Sequence, residues 1–107
     1  MPNEATPEQL SDDAVLEGSV RVPEHVVHRS FVAETVVLNL RTGRYHGLNP
    51  SAGRMLEVLT AEGTVKAAAE TLAQEYDQPR ERIERDLVAF CRGLLSRELI
   101  ELTPASE

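Results

Sequence analysis

The run Thr35-Val-Val-Leu-Asn-Leu-Arg-Thr-Gly-Arg-Tyr-His-Gly-Leu-Asn49, followed at once by Pro50, constrains the fold more than any other part of the chain. Residues 35–40 are β-branched and aliphatic, Thr42-Gly43 marks a turn, and 44–48 form a short second arm, which together read as a β-hairpin. A plain two-residue turn and a bulged one both suit Thr42-Gly43 and give different registers, so the register stays open. Asn49 is a good helix N-cap and Pro50 suits the first helical position. A strand layer therefore runs directly into a helical layer. The arm 44–48 has no obvious later strand to pair with, and an unpaired strand can accept a peptide as an additional strand.

The elements around this hairpin follow from periodicity. Upstream, 19–22 and 26–32 are short β-branched runs that complete a small antiparallel sheet. Downstream, the period becomes helical. A first helix runs from Pro50 to about Thr60 and ends at Glu62-Gly63, with Ala52, Met55, Leu56 and Leu59 facing inward. Thr64 caps a second helix whose inward positions are Val65, Ala68, Ala69, Leu72 and Tyr76. Gln78-Pro79 opens a third and longest helix that reaches about Ser96, and residues 99–102 close the domain as a short strand or extended tail. The expected class is α+β, a small N-terminal antiparallel sheet followed by three helices, the last two arranged like a helix-turn-helix.

Charge divides the chain. Residues 1–18 contain Glu4, Glu8, Asp12, Asp13 and Glu17 and no Lys or Arg, so of 18 acidic residues 13 remain from Ser19 onward against all 11 basic ones. The folded part, residues 19–102, is close to neutral. The acidic segment 1–18 reads as a disordered tail, dispensable for folding and binding, and 103–107 as a C-terminal tail.

Several function classes are disfavoured on these grounds. Aromatic residues make up only 4% of the chain, which argues against a stacking platform for nucleic acid. The third helix carries Arg80, Arg82, Arg85, Arg92 and Arg97 against Glu81, Glu84, Asp86 and Glu98, too small an excess for a phosphate footprint. No apolar run approaches the roughly 18 residues of a membrane span, and no basic-then-apolar signal segment opens the chain. A single cysteine, Cys91, excludes an internal disulfide and fits a reducing cytoplasm. His25 and His28 point to opposite faces of an extended segment, so they do not converge on a metal. No Gly-rich phosphate loop, Ser-His-Asp set or paired-cysteine motif is present. The reading is a non-catalytic protein with no cofactor and no metal.

A family resemblance sharpens this. Glu34, Val37-Leu38-x-Leu40, Thr42-Gly43-x-Tyr45, Gly47-Leu48-Asn49, Glu62-Gly63-Thr64-Val65, Asp86-Leu87 with Phe90 and Leu94, and Leu99-Ile100 form an ordered series over residues 26–100. The series resembles the coenzyme PQQ synthesis protein D family, also known as precursor-peptide recognition elements. That resemblance implies a winged-helix-like fold without chemistry of its own. It further implies binding of a precursor's leader segment between the third strand and third helix, and delivery to a modifying enzyme. The enzyme would be a lasso-peptide leader peptidase and cyclase, or a radical-SAM enzyme in a PQQ-type pathway.

By position, the docking strand would be Arg44, Tyr45, His46, Gly47 and Leu48, and the docking helix 79–96. On that helix Ile83, Leu87, Phe90 and Leu94 make one apolar stripe, while Val88, Cys91 and Leu95 make a second. The expectation is that the first faces the core and the second lines the peptide groove, with Arg85 and Arg92 meeting leader carboxylates. Periodicity alone leaves the second stripe equally open as core, while a residue like Tyr45 is more often a half-buried cross-strand residue than a ligand contact, and one like His46 more often a plain surface residue. A winged-helix DNA-binding protein and a structural subunit of an enzyme complex are the alternatives.

Overall fold

The computed structural model describes residues 10–104. In chain order the elements are α1 Asp12–Glu17, β1 Ser19–Arg21, β2 Val26–Ser30, β3 Thr35–Asn39, β4 Arg44–Leu48, α2 Pro50–Glu62, α3 Val65–Tyr76, α4 Arg80–Ser96 and β5 Glu101–Thr103. The class is α+β, as expected, but a helix precedes the sheet. The strands also divide into two sheets. β2, β3 and β4 form one antiparallel sheet in that order, whereas β1 pairs antiparallel with β5.

The helices begin where local chemistry starts them. The Asn49 side chain accepts the Ala52 amide at 2.8 Å and Thr64 Oγ1 accepts the Ala67 amide at 3.1 Å, each satisfying a donor that the first helical turn leaves without a partner. Their inward faces build an aliphatic core of Leu56, Val58, Leu59, Val65, Ala68, Ala69, Leu72, Leu87 and Leu94, which Leu99 and Ile100 join from the connection between α4 and β5. Tyr76, expected inside, is instead 42% exposed at the end of α3. α2 meets the sheet closely at Gly53, where a Cβ would stand 2.5 Å from Thr35 Oγ1.

The largest departure from expectation is α1. The segment read as a disordered tail contains a capped helix from Asp12 on; Ser11 Oγ accepts the Ala14 amide at 3.0 Å. Val15 is fully buried and Leu16 packs against the core, so α1 is docked on α3 and α4. Residues 1–9 and 105–107, the remainder of the two expected tails, lie outside the described residues. From α1 the chain enters β1, which is held on its other side by the turn between α2 and α3. There the Val20 amide donates to the Gly63 carbonyl and the Val65 amide to the Gly18 carbonyl, both at 3.0 Å.

Candidate peptide-docking site

The hairpin fixes which backbone groups of β4 are available. Its turn spans four residues, 40–43, with Asn39 opposite Arg44. Asn39 is almost wholly buried and its Oδ1 accepts the Arg41 amide at 2.9 Å, an Asx-type turn that Gly43 completes in the left-handed region at φ +76°. The register left open by the sequence is thus set.

The hydrogen-bonding phase follows. At the two ends of the β2–β3 ladder the Phe31 amide donates to the Glu34 carbonyl and the Leu40 amide to the His25 carbonyl, both at 2.7 Å. Backbone groups along a strand alternate in direction, so Val36 and Leu38 bond back to β2, while Thr35, Val37 and Asn39 bond across to Leu48, His46 and Arg44. The N–H and C=O of Tyr45 and Gly47 therefore point out along the free edge. Among the described residues β3 is the only strand beside β4, so this edge is open.

Side chains alternate as well. His46 and Leu48 turn inward with Val37 and Thr35, Leu48 being buried and His46 half-buried; Tyr45 lies on the outer face, 74% exposed.

Across from the edge stands α4, tied to the hairpin at its C-terminal end. Asn39 Nδ2 donates to the Arg97 carbonyl at 3.3 Å, and a His25 Nε2 hydrogen bond to the Glu98 carbonyl at 3.0 Å adds a second tie. Two hollows mark that flank of the helix. One, of about 450 Å³, is lined by Thr42, Arg44 and His46 on the hairpin side and by Ser96, Arg97 and Glu98 on the helix side. The other, of about 250 Å³, lies between Ser51 and Met55 of α2, Leu72 and Tyr76 of α3, and Arg82, Ile83 and Asp86 of α4. At about 1.5 Å per residue, the stretch from Ile83 to Arg97 is about 21 Å long, enough to lie beside roughly six extended residues.

This flank differs from the stripe that the sequence reading assigned to the groove. Turning about 100° per residue, Val88, Leu95, Arg92 and Arg85 fall on one side of the line through Cys91, and Ile83, Phe90, Asp86 and Arg97 on the other. The first side is the one α1 covers. Val88 and Cys91 are buried in the core, Leu95 packs half-buried against it, and Arg92 Nη2 pairs with Asp12 Oδ1 at 2.6 Å. Arg85 and Val88 border a hollow with Asp12 and Leu16. The expected groove role of Val88 and Cys91 is thus corrected, because α1 closes that surface. Ile83 and Phe90, expected in the core, are half-buried on the opposite flank.

Burial pushes the Cys91 thiol up to about 12, which keeps it protonated and unreactive. No group of three His, Cys, Asp or Glu among the described residues is placed to hold a metal. No described helix is long and apolar enough to cross a membrane.

Comparison with known proteins fits this geometry. Residues 34–100 match the family described as coenzyme PQQ synthesis protein D (PqqD). The chain belongs to the PqqD family. The match begins just before β3 and ends at Ile100, so it takes in both the free edge of β4 and the whole of α4. TbiB1, solved in complex with the TbiA(beta) leader peptide, is 32% identical, with a TM-score of 0.70 over 76% of this chain and 94% of that one. A lasso peptide synthetase B1 solved with the leader peptide is 24% identical, with a TM-score of 0.71 over 78% of this chain and 98% of that one, a likeness of fold. No curated protein sequence matches the chain. The family match does not include α1, the element that packs over the Val88 side of α4.

Proposed function

We propose that this PqqD-family protein is a non-catalytic carrier. It binds the leader segment of a ribosomally made precursor peptide as an added strand on β4 and delivers it, in the cytoplasm, to a modifying enzyme. The observation that carries this reading is the open backbone edge of Tyr45 and Gly47 beside the Ile83-to-Arg97 flank of α4. In such a complex the leader takes its main-chain hydrogen bonds from Tyr45 and Gly47. Alternate leader side chains enter the groove toward His46, Met55, Ile83 and Phe90. Arg44 and Arg97, beside Glu98, make one end of the groove cationic. The kinship with TbiB1, solved with the TbiA(beta) leader peptide, supports a leader segment as the ligand; the pathway we propose is a lasso-peptide one, in which the enzymes served are a leader peptidase and a cyclase.

The test is a titration of the protein with a fluorescent synthetic leader and, separately, with random duplex DNA at moderate salt. Leader binding is expected, and Tyr45→Pro should weaken it by about tenfold or more, since Pro removes a donor on the free edge while leaving the β3 ladder intact. His46→Pro is the contrasting variant. Its amide lies inside the hairpin, so it should lower thermal stability directly. Tight DNA binding with a steep salt slope, or full leader affinity in Tyr45→Pro, would refute the assignment.

A further inference from the structure

Asn39 is a polar residue in a core position. It ends β3 on the face that also carries Thr35 and Val37, and all three are buried. A buried amide is tolerated only where its donor and its acceptor both find partners. In Asn39 the two go to different parts of the fold. Oδ1 accepts the Arg41 amide at 2.9 Å and the Thr42 amide at 3.4 Å, within the loop that leads into β4. Nδ2 donates to the Arg97 carbonyl at 3.3 Å, at the end of α4. Amides on one side and a carbonyl on the other fix which atom is oxygen and which is nitrogen. One planar side chain is thus bonded to both walls of the groove.

The end of α4 is where such a bond has most effect. The Leu99 amide donates to the Leu94 carbonyl at 2.9 Å and the Glu98 amide to the Leu95 carbonyl at 3.0 Å, the paired bonds of a Schellman ending. Its left-handed position usually holds glycine, but here Glu98 occupies it at φ +58°, a conformation that a side chain makes costly. The carbonyls of Arg97 and Glu98 are both held from the sheet side, the first by Asn39 and the second by His25 Nε2 at 3.0 Å. α4 otherwise packs chiefly on α3 and α1. We infer that Asn39 is a positioning residue for leader recognition, setting the spacing between β4 and the C-terminal end of α4, with His25 as the second tie; the inference rests on the strand-addition reading above. A leader bonded to the backbone of Tyr45 lies at a fixed distance from β4, so its groove-facing side chains meet α4 only where α4 stands at the matching distance. Releasing the Arg97 tie leaves the backbone edge unchanged but adds the ordering of the helix end to the cost of binding.

The test titrates the full-length chain with a fluorescent synthetic leader at pH 8, comparing the native protein with Asn39→Asp. An ionised Asp keeps the acceptor for the Arg41 and Thr42 amides, and so the turn, but has no N–H for the Arg97 carbonyl. Leader affinity should fall about tenfold at a temperature where circular dichroism shows the variant fully folded. Glu98→Gly separates positioning from stability. Glycine suits the left-handed position, so adding it to Asn39→Asp should raise the thermal midpoint by a few degrees without restoring leader affinity. Affinity that recovers in step with the midpoint shows Asn39 acting through stability alone and overturns the inference, as does full affinity in folded Asn39→Asp. If Asn39→Asp loses its circular-dichroism signal, His25→Leu at the half-buried second tie carries the test; a loss of about threefold is expected and unchanged affinity overturns the inference. Failure of the native protein to bind leader at all overturns the strand-addition reading and this inference with it.

Discussion

Truncating Val15 to Ala tests whether α1 is part of the fold, and with it which flank of α4 is open. Val15 is 0% exposed. The substitution removes two buried methyl groups, worth about 0.8 kcal/mol each in transfer. The cavity left under a short helix adds to this, for a total of about 2–3 kcal/mol. For a domain of about 100 residues each kcal/mol moves the thermal midpoint by about 4–8 °C, so a fall of roughly 10–20 °C is expected by circular dichroism. Asp12→Asn is the internal comparison. It breaks the ion pair with Arg92, but the Asp12 side chain is 76% exposed and such surface pairs contribute about 0.2–1 kcal/mol. Val15→Ala should therefore exceed Asp12→Asn severalfold, and Val88→Asp, which puts a charge beneath the same helix, should fail to fold. If Val15→Ala shifts the midpoint no more than Asp12→Asn does, α1 is not docked. A stable Val88→Asp variant that loses only leader binding would restore the second stripe to the groove.

Three further outcomes are expected. Ile83→Gln, on the open flank, should weaken leader binding about tenfold while lowering the thermal midpoint by only a few degrees, because Ile83 is half-buried; a variant that unfolds would place Ile83 in the core. Cys91 should resist iodoacetamide at pH 8 in the native protein and react once urea unfolds it, since burial both shields the thiol and raises it to about 12; rapid native labelling would contradict this. Arg54 holds the Glu75 carboxyl below its ordinary value of 4.5 through a hydrogen bond, so this contribution is present above that pH and lost as the pH falls through the lower folded value. The midpoint difference between native protein and Arg54→Gln should shrink as the pH is taken below about 4.5, and a difference that grows there would reverse the sign.

The legible parts of the fold were those whose cause is local. Asn49-Pro50 and Thr64 start their helices by capping their own first turns, and the ends of α2 and α3 follow from Gly63 and the residues before Pro79. The hairpin was legible for the same reason, although its phase was not. Asn39, at the end of β3, converts a nominal Thr42-Gly43 turn into a four-residue loop by bonding the Arg41 amide. An Asn three residues before a Thr-Gly pair is a usable signal for such a loop. What escaped the sequence reading depends on distant partners. α1 offers six residues and one buried side chain, too short for a period to register, and it sits in an acidic segment that composition alone assigns to disorder. β1 finds β5 across nearly the whole chain. The error over Val88 and Cys91 is a consequence of the first omission. With α1 absent, α4 has two equivalent flanks; with α1 present, one is covered, and the flank left open carries Ile83 and Phe90.

Placing the groove on that flank also decides where selectivity resides. Tyr45 and Gly47 offer two donors and two acceptors, and main-chain bonds of this kind contribute about 0.5–1.5 kcal/mol each net of water, so about 2–6 kcal/mol together. Ordering five leader residues as a strand costs about 1–2 kcal/mol each in backbone entropy, so about 5–10 kcal/mol. The edge alone therefore does not hold a flexible peptide, and any peptide could use it equally well. The difference must come from leader side chains that enter the groove, where a buried aliphatic or aromatic group contributes about 1.5–3 kcal/mol. A leader with its strand intact but its groove-facing apolar residues changed to Ser should consequently lose nearly all measurable affinity. One altered only at the position opposite Tyr45, whose side chain projects to the outer face with Tyr45, should bind almost normally.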